Sequence, residues 1–479
     1  MRAAFLRLLL GVSAVGAVVA AALVVQPVAK AARPPHAGVA PVRSAAVVCP
    51  SVTGGSGGGS TDMTVATLGP SKGLRASYSP LLPTKGSAHS LSVNPRAVVH
   101  QTTPYAAVSV QASGDGAGEL AVTQEALTPT GIHRALTDLA CAPANTDWWF
   151  AGADGRVGVT DVLVLSNPTD QPANVALSLW SVRGPLNPPG TSGIIVPPHT
   201  AQLRQVANLA PDVPGITIHV HANSGSIAAA LLDQHTSGIH PVGVDWIPPT
   251  VSPAVSSVVT GFVSGAALDW LELTNPGDRD TTVTLRVVTP TRNFQPAGHQ
   301  SVVVAAGHTV TVDLAGAIAG ETAAVVTSSD APIVSEGMTL LRPTTGFSEL
   351  AWLAAQVPLH SPAGIAANAP PFGQQSSLVL AAPSGAADVR VSTPGGASAN
   401  VHVSAGRLAV TDLTSLLHAG PSGVGAILLT PLRGGPVYVV RILHALGAHG
   451  PLLTAEAPTV FPLPITLPAV EADLSAGTR

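Results

Sequence analysis

The feature that most constrains this chain is a repeat. Val162-Leu163-Val164-Leu165-Ser166-Asn167-Pro168 recurs as Trp270-Leu271-Glu272-Leu273-Thr274-Asn275-Pro276, and a third time as Leu378-Val379-Leu380-Ala381-Ala382-Pro383. The next segment keeps the same register. Val175, Leu177 and Leu179 fall on Val283, Leu285 and Val287, and Val389 and Val391 follow the third copy. A period of two puts apolar side chains on one face of a strand and polar ones on the other. The Asn-Pro or Ala-Pro between two such runs breaks pairing and marks a turn.

The second half of each unit repeats as well. Ile216, Ile218 and Val220 alternate with Thr217, His219 and His221, then Asn223-Ser224-Gly225 leads into Ile227-Ala228-Ala229. The later copies run through residues 324–334 and 426–439 in the same manner, so each half reads as a β-hairpin. Trp246 and Trp352 mark matching connectors, and 313–318 and 412–417 read as single helical turns capped by Asp. Units of about 105 residues with regular turn signals point to β-sandwiches. The expected fold is therefore all-β: tandem Ig-like β-sandwich modules preceded by one N-terminal hydrophobic helix. Modules are expected at 145–250, 251–360 and 361–465, with a divergent N-terminal β module at 45–144 that includes a low-complexity loop at 54–60. A linker at 26–44 and a tail at 466–479 flank them.

Composition agrees with this reading. With 48 Gly and 44 Pro among 479 residues, and 10% charged residues, the chain favours short strands and turns over helical bundles. Its net charge is −4 with scattered basic residues, which leaves no electrostatic footprint for nucleic acid.

The N-terminus carries an address. Arg2 and Arg7 precede an almost wholly apolar stretch at 8–25. At helical rise it covers about 27 Å, near the roughly 30 Å of a hydrocarbon core. Basic residues ahead of it keep that end cytoplasmic and send the rest outward, so the expected location is the extracytoplasmic side of the cell membrane. Ala29-Lys30-Ala31 resembles a cleavage site, so residues 1–25 read either as a signal anchor or as a removed signal peptide. Cys49 and Cys141 are the two cysteines; in an oxidising compartment they are expected as a disulfide, with two buried free thiols as the alternative.

These features together resemble the DUF5719 family of actinobacterial secreted proteins of unknown function. The resemblance rests on Cys49-Pro50, on Cys141 shortly before Trp148-Trp149-Phe150, and on the Leu-x-Leu-x-Asn-Pro runs at 163–168 and 271–276. Ala382-Pro383 in the third copy departs from that pattern. The resemblance implies an exported, membrane-tethered protein and brings no catalytic residues.

Four constellations invite chemistry. His219 and His221 project to one face of a strand, as a zinc site needs, but no third ligand is evident, so they stay weak metal candidates and no cofactor is expected. Asp161 and Asp269 are equivalent repeat positions and read as strand-entry residues, while Glu272 has Val164 as its counterpart. Gly54-Gly55-Ser56-Gly57-Gly58 lacks the strand and helix of a nucleophile elbow. Trp148 and Trp149 have no counterparts and are the candidate binding residues, with packing at a module boundary as the alternative.

The expected role is a non-catalytic binding or structural component of the cell envelope, with the membrane and wall glycan or envelope proteins as partners. A cell-wall hydrolase would instead need two carboxylates about 5–10 Å apart in a cleft, drawn from Asp147, Asp161, Glu272 and Asp233. A sensory ectodomain ranks last.

Overall fold

The computed structural model describes residues 38–50, 59–70, 72–81, 87–101, 107–318, 320–368, 375–419 and 424–467. The apolar stretch at 8–25, linker residues 26–37, loop residues 54–58 and tail residues 468–479 lie outside these. Among the described residues no helix is long and apolar enough to cross a membrane. Two units are present. One contributes an antiparallel pair, Gly38–Ala40 with Ile465–Leu467. The other spans 42–463 and holds four β-sandwiches.

Each sandwich follows directly from the alternation. In the strand Ala173–Ser181, Val175, Leu177 and Leu179 point into the core while Ala176, Ser178 and Trp180 face away. All four sandwiches share one topology. The sheet orders Arg96–Gln101, Ser60–Thr67, Leu120–Thr128, Ala135–Ala140 and Thr200–Gln205, Val162–Asn167, Ala228–Ser237, His240–Ile247 are the same. The third and fourth sandwiches repeat that order and close it with Glu349–Gln356 and Gly450–Glu456. The N-terminal module is thus the same architecture as the other three. Its two sheets are bridged by the Cys49–Cys141 disulfide, with both sulfurs in the core.

Strand connectivity departs from the hairpin expectation. Ile216–Ser224 pairs with Asp147–Ala153 and Ala173–Ser181, whereas Ala228–Ser237 pairs with Val162–Asn167 and His240–Ile247. The two halves never pair with each other; the chain crosses from one sheet to the other at a corner. In the third sandwich the corner is an unbroken strand, Ala323–Leu341, whose first half belongs to one sheet and second half to the other. A period of two fixes which face is apolar, but both sheets of a sandwich satisfy it, so it does not choose between hairpin and corner.

The Asn-Pro turns are built around a buried side chain. Asn167 Nδ2 donates to Gln171 O (2.8 Å) and Val196 O (2.9 Å), and its Oδ1 accepts from Thr169 N. Asn275 repeats the arrangement with Arg279 O, Val304 O and Gly277 N. The expected single-turn helices are present at Ala315–Ile318 and Leu413–Leu416, the second with Asp412 accepting from Ser415 N at 2.7 Å.

The sandwiches close on themselves rather than extending as a string. Ala135–Ala140 lies against His240–Ile247, which lies against Glu349–Gln356, then Gly450–Glu456, which returns to Ala135–Ala140. Four equivalent closing strands therefore surround one axis. The opening strand of one sandwich also packs on the inner sheet of the next: Asp147–Ala153 on the third, Ala254–Phe262 on the fourth, and Ala363–Ile365 on the first. Each interface buries side chains whose apolar area was left over by the sandwich core, and such burial is the main stabilising term in the ring.

A surface Asp-His-His cluster and a sealed axis

The opening strand of the second sandwich, Asp147–Ala153, pairs with Ile216–Ser224 so that Asp147 stands opposite His221 and Trp149 opposite His219. Period two places Asp147, Trp149, His219 and His221 on the face away from the core. There one carboxylate oxygen meets both imidazoles. Asp147 Oδ1 lies 2.9 Å from His219 Nε2 and 2.9 Å from His221 Nδ1. The three ligand-capable atoms all lie within 4.8 Å of one another. Thr146 Oγ1 donates to the other carboxylate oxygen at 3.0 Å, which sets the carboxylate plane. Hydrogen bonding from His221, and then from His219, holds the Asp147 carboxyl down at about 2 against the opposing effect of burial. Burial pushes the His219 imidazole down, despite its acidic neighbour.

The two tryptophans part company. Trp148 is a core residue, 7% exposed, with its Nε1 donating to Ile227 O at 2.9 Å, and Trp149 is as closed off at 8%; neither indole offers an open surface to a ligand, and the alternative reading, packing, describes both. Lying between Asp147 and Trp149 on a two-faced strand, Trp148 turns to the core face with Phe150. Trp149 lies on the opposite face between His219 (centroids 4.0 Å, planes 9° apart) and Trp180 (5.4 Å), and packs with Ala151 and Val334 at the boundary to the third sandwich. Pairing also resets the repeat. Phe150 corresponds to Val259 and Phe262 to Ala153, with the same bulge after Ala151 and after Thr260.

His235 does not join the surface pair. It forms an ion pair with Asp233 at 2.8 Å in the other sheet. Asp161 stands beside Asp233, and both are sealed, at 1% and 0% exposure. Burial and the Asp233 charge push the Asp161 carboxyl well up. Burial also pushes Asp233 up, but the His235 charge, with hydrogen bonds that include Trp352 Nε1 (2.6 Å), outweighs it and holds Asp233 down. Asp161 Oδ2 accepts from Asp154 N, so this carboxyl ties down the strand entry. At the equivalent position Asp269 accepts from Thr339 Oγ1, and burial raises it to about 6. Glu272 is buried against the second sandwich, accepts from Thr311 Oγ1, and is raised to about 7 by burial.

Sequence reasoning missed the ring axis, which is filled by side chains. Arg134 Nη2 donates to Gly450 O and Pro451 O, and its other nitrogen lies 3.6 Å from Glu349. Below it Asp245 accepts from Trp352 N (3.0 Å) and Thr454 Oγ1 (2.9 Å). Deeper still, Arg441 is clamped between Asp138 and Glu456, and Thr123 Oγ1 donates to Glu456. Burial pushes the carboxyls of Asp245 and Glu349 well up. Burial also pushes Glu456 up, against the lowering effect of the Arg441 charge, and Arg441 pairs with both Asp138 and Glu456. At one end of the axis the four hairpin tips meet. They carry Gly131-Ile132-His133, Gly238-Ile239-His240, Gly346-Phe347-Ser348 and Gly447-Ala448-His449, with Phe347 6.1 Å from His240 and 6.2 Å from His449. Ile239 is 82% exposed, and Leu446 beside the last tip is 84% exposed. The recurring Gly-apolar-His run was the available signal.

A family model described as a family of unknown function, DUF5719, matches residues 96–419, about two thirds of the chain. The chain belongs to the DUF5719 family. The match starts within the first sandwich and ends within the fourth, so in this DUF5719 protein it takes in the second and third sandwiches whole. No curated protein matches the chain. Among solved structures it is similar to the crystal structure of Thermotoga maritima 1070, at 11% identity and a TM-score of 0.18, over 22% of this chain and 96% of that one.

Proposed function

We propose that this protein is exported, is held at the outer side of the membrane by its N-terminal segment or released by cleavage there, and serves as a non-catalytic binding or structural component of the cell envelope. The observation that carries the reading is the Cys49–Cys141 disulfide inside the first sandwich core, because such a bond persists in an oxidising compartment. The acids that a hydrolase would draw on give no support to the catalytic alternative. Asp161 and Asp233 adjoin, yet both are closed off beneath Trp352 and cannot touch a sugar. The exposed apolar tips around Ile239 and Leu446 offer a contact face for wall glycan or an envelope protein.

Thiol trapping in intact cells tests the address. Full protection of both cysteines from alkylation before reduction is the expected result, and free thiols in freshly lysed cells would overturn export. Co-sedimentation with isolated wall glycan, comparing the full chain with Ile239→Asp/Leu446→Asp, tests the contact face. Binding weakened by the double variant supports it; turnover of the glycan would replace the binding reading with the hydrolase.

A further inference from the structure

We propose that Asp147, His219 and His221 form a binding site for a divalent transition metal of the zinc class. Two imidazole nitrogens and one carboxylate oxygen make a donor set suited to such ions, and carboxylate-only alternatives for calcium or magnesium are absent from it. In a tetrahedral zinc site with bonds of about 2.0–2.1 Å, neighbouring ligand atoms stand about 3.3 Å apart. Asp147 Oδ1 is 2.9 Å from each nitrogen and all three atoms lie within 4.8 Å of one another, so small side-chain adjustments bring them to that spacing around an ion.

Three further observations point the same way. First, the ligands come from two hydrogen-bonded strands of a sheet, which holds them in fixed register. Second, their orientation is supported from outside: Thr146 Oγ1 holds the free carboxylate oxygen, and the Trp149 ring lies flat on His219. Third, the fold does not require these side chains. In the third sandwich the same two strands pair in the same way, and Ser256, Val326 and Ser328 occupy the places of Asp147, His219 and His221. Among the described residues, other surface His–Asp pairs such as His402–Asp388 and His199–Asp170 bring one imidazole to a carboxylate; Asp147 gathers two. With the His221 and Asp147 side chains 45% and 42% exposed, the remaining coordination positions face solvent and are open to water or to a donor group of a partner.

The test uses the full-length chain without a polyhistidine tag. Titration with zinc chloride against a chromophoric chelator is expected to give one tight equivalent per chain, lost or weakened at least tenfold in Asp147→Asn and in His221→Ala. His402→Ala, which removes a surface histidine outside the cluster, is expected to bind as the unaltered chain does. Cobalt(II) is expected to give visible bands of a nitrogen- and oxygen-ligated site and to quench part of the tryptophan emission. Trp149→Phe should reduce that quenching while keeping the bands, because the indole lies against a ligand ring. Circular dichroism in chelator confirms that each variant is folded. No saturable equivalent in the unaltered chain, or equal binding by the Asp147→Asn and His402→Ala variants, would overturn the site.

Discussion

The ring axis and the outer face of the second sandwich are built from the same residue types and use them in opposite ways. At the axis, Arg134, Asp138, Asp245, Glu349, Arg441 and Glu456 are all within a few per cent of complete burial. On the outer face, Asp147 and His221 are close to half exposed. Taking a charge out of water is costly unless it is paired or neutralised, so the axis acids either face arginine or keep their protons. Water solvates Asp147, and its carboxylate stays ionised with two imidazoles beside it. The difference teaches that solvent access, more than residue identity, separates a structural charge from one free to bind.

Altering the axis should cost stability and leave metal binding alone; altering the surface should do the reverse. Arg441→Met is expected to have the largest effect, about 3–5 kcal/mol in chemical denaturation, because Asp138 and Glu456 lose the buried arginine that pairs with both. A loss under about 1 kcal/mol would show that those acids simply take up protons when the arginine is removed.

Glu272→Gln comes next and is read against pH. The folded carboxyl is raised to about 7 from an ordinary 4.5, so the unfolded chain gives up its proton first. The stabilising contribution of the protonated form is complete below about pH 4.5 and is lost as pH climbs through about 7, a total near 3 kcal/mol at about 1.4 kcal/mol per unit. The Gln variant should therefore be more stable than the unaltered chain at pH 8, and the gap should close at pH 4.5. Melting curves at both pH values check this, and a gap that does not change with pH would show that burial does not raise the Glu272 carboxyl.

Asp245→Asn should cost less than about 1 kcal/mol, since burial disfavours the charged form of Asp245 and Asn is an uncharged group of nearly the same shape. Last, His221→Ala in chelator should shift unfolding by no more than about 0.5 kcal/mol, as a half-exposed position allows. A large loss there would make the Asp-His-His cluster a structural element and erase the contrast.

Much of the local fold was legible. Val175, Leu177 and Leu179 announced a buried face, Asp412 announced its helix cap, and Asn167-Pro168 announced a turn that the structure ties with four hydrogen bonds from the Asn side chain and Thr169. The metal candidate was half legible: His219 and His221 were visible as a pair, while Asp147 was not visible as their partner. It lies some seventy residues upstream, and only strand register brings it across. Pairing likewise makes Val326 and Ser328 the equivalents of His219 and His221, a match that hangs on register, because a slip of one residue exchanges the two faces of a strand.

By itself, then, the sequence determined the strands, their apolar faces, the repeating unit and the pair of cysteines, all of which follow from short-range sterics and periodicity. The tertiary structure alone decided that the halves of each unit cross between sheets, that four closing strands meet around one axis, and that Asp147 completes a three-ligand cluster. Those choices depend on which apolar faces find each other over long stretches of chain. Loop closure makes such pairings only slightly more costly with distance, so no local pattern records them.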